Sequence, residues 1–152
     1  MPMPMPVPVP GATTAATPPS VERLTFVVAA HDEAQSIPHL HPRLCRVIES
    51  LAGIEGRILY VDDGSSDATW SLLEALARTD PRVTALRLSR NFGKEAALTA
   101  GLDHVREGAA MILDADCQDP PELAPLFVAR WREGYDNIYG TRRLREGETW
   151  TK

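Results

Sequence analysis

The stretch LTFVVAAHDE, residues 24–33, decides how the fold of this chain is interpreted. Residues 24–30 are mostly apolar and rich in β-branched side chains, which is typical of a short strand buried on both faces. Three polar residues, His31, Asp32 and Glu33, follow this strand directly. A helical pattern comes next, and a helix between two strands predicts that the strands pair in parallel.

The same alternation of strand and helix continues outward from this stretch. Further strands are predicted at Arg57–Val61, Val83–Leu88, Ala109–Leu113 and Asn137–Tyr139. Short apolar strands that alternate with amphipathic helices predict an α/β fold, in which a mostly parallel sheet is covered by helices on both faces.

Helix boundaries are indicated by capping residues and prolines. Ser36 is expected to cap the first helix, with Pro38 in its first turn. The second helix is expected around Trp70–Ala77, and the third to begin at Gly93. The fourth is expected to run to about Glu133, and Asp119, Pro120 and Glu122 have the order of an N-cap, a first-turn proline and a capping-box acid.

Composition and charge limit the classes of function. The 152 residues suit one domain, 43% of them are hydrophobic, and the net charge of -5 provides no basic field for nucleic acid. Residues 1–20 are rich in proline and predict a disordered tail before a domain at 21–152. No apolar run approaches the roughly 18 residues that cross a bilayer, so we expect no transmembrane segment in this chain and a cytoplasmic location.

Cysteine and histidine spacing indicates no metal site. Cys45 and Cys117 match neither a zinc pattern nor a disulfide framework, so both are expected to be reduced. His39, His41 and His104 are expected on the surface, because their spacing is not that of metal ligands on one helix. Glycine-rich dinucleotide and phosphate-binding loops are also absent from the sequence.

A polar cluster follows each of the first four strands at its carboxyl end. The clusters are 31–33, 62–65, 90–94 and 114–118. In open parallel sheets, ligands bind just outside the carboxyl ends of the strands, so these clusters predict one binding site.

The fourth cluster has the donor atoms of a site for Mg²⁺ or Mn²⁺. Asp114 and Asp116 are one residue apart, so their carboxylates would project to the same side of an extended segment, and Gln118 continues the spacing with an amide oxygen. Oxygen ligands of this kind suit a hard cation that keeps positions open for substrate phosphates.

The second and third clusters supply candidate substrate contacts. Asp62 and Asp63 are adjacent, so they should point in opposite directions, and one of them is expected to face the ligand. Arg90 and Lys94 bring positive charge close to a helix start, which suits anionic oxygens.

The motifs taken together resemble glycosyltransferase family 2, and within it the bacterial polyprenyl-phosphate glycosyltransferases that are related to dolichol-phosphate mannose synthase. The similarity rests on Glu33 followed by VDDGSSD, SRNFGKEAALTAGLD, DADCQDPPEL and YGTRR. It covers the chain from about Leu24 to its end.

This resemblance implies a Rossmann-like GT-A domain that binds a nucleotide sugar. Glu33 and one of Asp62 and Asp63 would bind the nucleoside, with His31 at the position where relatives usually have tyrosine. Lys94 would lie near the donor sugar, and Arg142 would approach the phosphates.

Asp114, Asp116 and Gln118 would hold Mg²⁺ or Mn²⁺ on the donor diphosphate, so that the two aspartates take part in catalysis. The donor would be a UDP-sugar or GDP-mannose, with UDP favoured. The acceptor would be a polyprenyl phosphate, and transfer would proceed by inverting, direct displacement.

Relatives continue past the equivalent of Lys152 with an acceptor-binding half and transmembrane helices, which would bring the domain to the inner face of the cell membrane. An inactive, truncated nucleotide-binding module therefore remains an alternative. A receiver-like signalling domain is a further alternative, but it needs its acidic pair after the first strand and its lysine after the last.

Overall fold

The computed structural model describes residues 21–140 of the chain. The elements are β1 (Glu22–Ala30), α1 (Ile37–Ser50), β2 (Ile54–Asp62), α2 (Thr69–Thr79), β3 (Val83–Arg87), α3 (Lys94–His104), β4 (Ala109–Asp114), a 3-10 turn (Pro121–Leu123) and α4 (Ala124–Arg132). The tail predicted at 1–20 and the end of the chain at 141–152, including Arg142, lie outside the described residues.

The four strands form one parallel sheet in the order β3-β2-β1-β4. This confirms the α/β prediction. The register pairs Ala30 with Asp62, Ala29 with Asp114, and Asp62 with Arg87. The carboxyl ends of all four strands therefore lie level along one edge, which brings the polar clusters together.

Apolar side chains alternate between the two faces of the sheet. Phe26 and Val28 of β1 pack into a core shared with α1, α2 and α4. Val27 faces the other way and packs with Ala97 of α3. Both faces are covered where β1 and β2 cross the core, and these strands are mostly apolar there, as their sequences predict, whereas Ile112 of β4 is 47% exposed.

Helix α3 lies close against the sheet at Gly101. A Cβ atom on Gly101 would lie 2.5 Å from Cγ1 of Val27 and 3.1 Å from Cγ2 of Val61, and both valines are fully buried. Ala97 and Gly101 are both buried on this face of α3, where small residues allow the helix to approach the sheet.

Two predicted boundaries in the last part of the domain are wrong. Asp119 is not the N-cap of the fourth helix, because Pro125 lacks a backbone N–H and must lie in the first helical turn. Helix α4 accordingly begins at Ala124, after the 3-10 turn. Glu122 forms an ion pair with Arg43 of α1. Residues 137–139 form no strand, since they pair with none of the strands in the described sheet.

The predictions for His41 and Ser36 are also corrected. The His41 side chain is only 12% exposed, because its ring packs beside Tyr60 of β2. Ser36 precedes α1 as expected, but its hydroxyl donates to Glu33 and does not cap the helix. Across residues 21–140, no helix has the length and apolar character needed to span a membrane.

Gly101→Ala is expected to lower the free energy of unfolding by about 1–3 kcal/mol, because overpacking against Val27 outweighs the gain in helix propensity. Denaturant unfolding measures the change. In a Val27→Ala background the penalty should shrink or reverse, since the clashing methyl group is gone. An undiminished penalty in that background would show that the close approach to Val27 is not its cause.

Candidate functional site

An open cleft of about 320 Å³ lies at the carboxyl edge of the sheet. It is lined by Ala29, Ala30, His31, Glu33, Asp63, Asn91, Gly93, Lys94, Asp114, Ala115 and Asp116. Strand β1 has β2 on one side and β4 on the other. The chain adds β2 and β3 on one side of β1 and then crosses to add β4 on the other side, so the strand order reverses between β1 and β4. Ligands of open α/β sheets bind at such a switch point.

The Asp63 carboxylate holds the third loop against the second. It is 3% exposed and accepts the backbone N–H of Phe92 at 2.8 Å and that of Gly93 at 3.0 Å. Gly93 has φ +100, a conformation that L side chains rarely adopt. Asp63 thus fixes the loop that leads into α3.

Asp62 points away from the cleft, as the alternation of side chains along a strand requires. It is fully buried, and its Oδ1 accepts the N–H of Ser65 at 3.2 Å. Its Oδ2 lies 3.3 Å from Nε of Arg87, an ion pair without hydrogen-bond alignment. Of the two adjacent aspartates, only Asp63 lines the cleft.

Asp32 joins the first loop to the second. Its Oδ1 accepts the N–H of Ser66 at 2.8 Å and that of Asp67 at 3.2 Å, while its own N–H donates to Ser65 Oγ at 2.9 Å. The backbone N–H of Ser66 is the main cause that lowers the pKa of Asp32. Asp32 itself has φ +52, which aspartate tolerates better than most residues.

His31 forms part of the cleft wall in a fixed orientation. Its Nδ1 lies 2.8 Å from the carbonyl oxygen of Asp63, which can only accept, so Nδ1 carries the proton. Nε2 is then an acceptor for the side-chain amide of Asn91 at 3.2 Å. The ring is held from both ends and keeps 41% of its side chain exposed.

Glu33 is positioned by contacts on both its backbone and its side chain. Its N–H donates to Oγ1 of Thr69 at 2.8 Å, and its Oε2 accepts the hydroxyl of Ser36 at 2.7 Å. The Ser36 hydroxyl therefore orients a cleft carboxylate.

Two carboxylates and one ammonium group meet on the β4 side of the cleft. Nζ of Lys94 lies 2.5 Å from Oδ2 of Asp114. Asp116 is exposed and lines the cleft beside Asp114. The two aspartates therefore lie beside a positive charge on this side of the cleft.

Gln118 and Arg90 are not brought into this cleft. The expected extended spacing beyond Asp114 is wrong, because Cys117 has φ +64 and the N–H of Gln118 turns back to Asp116 Oδ1 at 3.0 Å. Gln118 borders a different cavity. The Arg90 guanidinium lies 4.1 Å from the centroid of the Phe92 ring, and Arg90 borders a cavity beside Arg87.

Sequence reasoning did not identify Asn91, which lines the cleft and holds His31. Its position inside the third polar cluster was the available signal. The supporting role of Thr69 had no such signal, since its contact with Glu33 joins residues that are 36 positions apart.

Comparison with known proteins identifies the family and the structures that this chain resembles. The model of the family described as Glycosyl transferase family 2 matches residues 25–152. The chain is 45% identical over 129 residues to an uncharacterized glycosyltransferase of Synechocystis sp., which covers 85% of this chain and 40% of that protein. It is 41% identical over 120 residues to a bactoprenol glucosyl transferase of Shigella phage SfX, covering 79% of this chain and 39% of that protein. The chain thus spans about two fifths of the length of these curated relatives.

Solved structures show the same fold. The mannosyltransferase PcManGT from Pyrobaculum calidifontis, in complex with GDP-Man and Mn²⁺, superposes with a TM-score of 0.60 at 25% identity, covering 72% of this chain and 32% of that one. S. aureus TarS 1-349 in complex with UDP-GlcNAc superposes with a TM-score of 0.55 at 18% identity, covering 73% of this chain and 31% of that one. The GT-A expectation is confirmed.

Asp63→Ala is expected to release the loop at 90–94, because the N–H groups of Phe92 and Gly93 lose their acceptor. Removing a buried acceptor costs about 1–3 kcal/mol, so both amides should exchange with solvent faster by roughly tenfold or more. Amide hydrogen exchange followed by NMR measures this. Asp103→Ala, an exposed change on α3, is the control, and unchanged protection in Asp63→Ala would contradict the assignment.

The contacts of Asp32 are expected to weaken in acid. Because its folded-state pKa is lowered, its contribution to stability is present above the ordinary pKa of 3.8 and is lost as the pH falls through the lower folded value. NMR titration of the Ser66 and Asp67 amides should show this transition below 3.8. Asp32→Asn should abolish it, and a transition above that value would contradict a stabilised carboxylate.

Proposed function

Because this chain belongs to glycosyl transferase family 2, we propose that it forms the donor-binding part of an enzyme that transfers a sugar from a nucleotide sugar to a polyprenyl phosphate. The observation that carries the proposal is the cleft at the β1–β4 switch point, with Asp114 and Asp116 on one side and Lys94 beside them. The 41% identity to a bactoprenol glucosyl transferase supports a lipid phosphate as acceptor.

The nucleoside is assigned to the first and second loops. His31 offers the face of a fixed ring for stacking on the base, while Glu33 and Asp63 offer acceptors for its N–H groups or for ribose hydroxyls. The Asp63 oxygens each receive one backbone N–H, and a carboxylate oxygen has capacity for a second donor. Asp63 can therefore hold the loop and bind a ligand at the same time.

The charge of the cleft argues for a divalent cation. Among the described residues, four carboxylates line it, those of Glu33, Asp63, Asp114 and Asp116, against one ammonium, that of Lys94. A diphosphate entering alone would meet net negative charge, and in a partly desolvated cleft that repulsion is not fully screened. Binding an anionic donor here requires additional positive charge.

Asp114 and Asp116 fit Mg²⁺ or Mn²⁺. Both carboxylates reach the cleft, and the Lys94 ammonium on Asp114 marks a position where positive charge is favourable. These two residues would hold the ion, which when bound would neutralise the diphosphate leaving group. Arg142 remains a contact predicted from the sequence, whereas Gln118 borders a different cavity and is not assigned to the ion.

Lys94 and the start of α3 bind the anionic part of the donor in this proposal. Gly93 precedes the helix without a side chain to cap it, so N–H groups of the first turn are available to phosphate oxygens. Lys94 is the first residue of that turn. When the donor binds, its ammonium leaves Asp114 and contacts the anionic part of the donor. Helix and lysine together hold the leaving group in place.

Transfer is proposed as a direct, inverting displacement. A phosphate oxygen of the acceptor forms the bond to the anomeric carbon while the bond from that carbon to the diphosphate breaks, and the nucleoside diphosphate leaves with the electron pair. The acceptor oxygen already carries negative charge, so no side chain has to remove a proton from it. Positioning and electrostatic stabilisation then supply the catalysis. The lipid acceptor places the reaction at a membrane surface.

Asp116→Ala is expected to weaken Mn²⁺-dependent nucleotide binding by about tenfold or more, since one contact to a charged group is worth about 1.5–3 kcal/mol. The fold should be little affected, because Asp116 is exposed. Calorimetric titration of UDP, GDP and their sugar conjugates, with and without Mn²⁺, measures the binding and selects the base.

Asp103→Ala again serves as the control, because it removes an exposed carboxylate away from the cleft. If Asp116→Ala kept metal-dependent binding at full strength, Asp116 would not be a ligand of the ion. If the unsubstituted protein bound none of these nucleotides, the donor assignment itself would fail.

A further inference from the structure

Three side chains outside the cleft bring a nitrogen, a sulfur and an oxygen together. His41 and Cys45 are four residues apart, so they lie on one face of α1. Asp80 directly follows α2 and approaches them from the turn before β3. None of the three lines the cleft.

The three atoms have the spacing of ligands around one small ion. His41 Nε2 and Cys45 Sγ are 3.5 Å apart, Cys45 Sγ and Asp80 Oδ2 are 3.7 Å apart, and His41 Nε2 and Asp80 Oδ2 are 3.6 Å apart. Tetrahedral zinc, with bonds of about 2.0–2.3 Å, places such atoms about 3.3–3.6 Å from one another. The triangle already has nearly the dimensions that zinc would impose.

The histidine is oriented as a metal ligand requires. Its Nδ1 lies 3.1 Å from the hydroxyl of Tyr60, which is fully buried, and its Nε2 points to Cys45 and Asp80. A partner on the second ring nitrogen fixes the tautomer and the ring plane of metal-bound histidines. Tyr60 has that position here.

The Arg82 guanidinium contacts two of the three side chains, those of Cys45 and Asp80. Its Nη2 lies 3.2 Å from Cys45 Sγ and 2.8 Å from Asp80 Oδ2. A metal ion would displace this nitrogen, but Arg82 would keep other partners, since its Nε lies 2.9 Å from Asp80 Oδ1 and its Nη1 lies 3.5 Å from Glu49. The guanidinium therefore provides the positive charge that the cluster needs while no metal is bound.

We propose that His41, Cys45 and Asp80 form a second metal site, which binds a zinc-class transition-metal ion and joins α1 to the turn before β3. The thiol of Cys45 loses its proton to solvent as the sulfur–metal bond forms, and water completes the tetrahedron. Thiolate and imidazole ligands favour Zn²⁺ over the hard cations that suit the carboxylates of the cleft. The site is independent of the proposed transferase function.

Sequence inspection found no zinc pattern because the third ligand follows the cysteine by 35 positions. The prediction that no histidine belongs to a metal site is thereby revised for His41. Packing of α2 against the sheet brings Asp80 to α1, and a local motif cannot show this.

Co²⁺ titration of the untagged chain under reducing conditions tests the proposal, because a thiolate ligand gives cobalt an intense charge-transfer absorption. We expect that absorption, its displacement by Zn²⁺, and a higher melting temperature with Zn²⁺. Cys45→Ser should abolish the absorption and weaken binding by roughly a hundredfold or more, given that even outer-shell changes cost about 10–100-fold. Cys117→Ser, which removes the other thiol of the chain, should leave both unchanged.

Arg82→Gln distinguishes a metal site from a hydrogen-bonded cluster. Removing the competing guanidinium should tighten Co²⁺ binding, whereas in a cluster without metal it would only lower stability. Circular dichroism of each variant reports whether it is folded. Absence of the thiolate absorption in the unsubstituted protein, or its persistence in Cys45→Ser, would overturn the proposal.

Discussion

The hydrogen bonds from the backbone of Phe92 and Gly93 to the buried carboxylate of Asp63 are the interaction on which the cleft depends. Asp63 follows the last residue of β2, so its backbone is placed by the sheet. The loop it holds ends at Gly93, and α3 begins at the next residue. The position of Lys94 against Asp114 therefore follows from a carboxylate that belongs to another strand. Through this contact, the position of the loop at the cleft is set by the sheet.

The sequence predicts the sheet well because a parallel register leaves few choices. Buried strands such as residues 24–30 need apolar side chains on both faces, and the polar residues after them must collect at one edge. The same alternation predicts that Asp62 and Asp63 point apart. Which of the two faces the cleft cannot be predicted from the pair alone, since it depends on which face of the sheet α3 covers.

Three of the wrong predictions from the sequence each have a physical cause that short sequence motifs do not show. Because of Pro125, α4 begins at Ala124 and not directly after Asp119 as predicted, although the residues at 119–122 have the order of a helix cap. The prediction that Gln118 continues the spacing of Asp116 assumed an extended backbone, but Cys117 has a positive φ, so the chain turns there. His41 is covered by Tyr60 because α1 packs on β2. In each case, a steric or tertiary constraint overrode a short-range preference.

Polar residues at the rim of this sheet hold the loops, remain free for a ligand or, as proposed for Asp63, do both. Asp32 accepts two backbone N–H groups from the second loop on its Oδ1, so that oxygen is occupied, and its Oδ2 lies 3.4 Å from Oγ of Ser66 in the same loop. Asp116 accepts one N–H from its own turn and stays exposed. A carboxylate with unfilled acceptor capacity at the mouth of a cleft has to be solvated or to bind a cation, and closure around a donor would remove the solvent. Spare acceptor capacity therefore separates Asp116, which we propose as a ligand of the ion, from Asp32, which is also an aspartate of the rim but holds a loop.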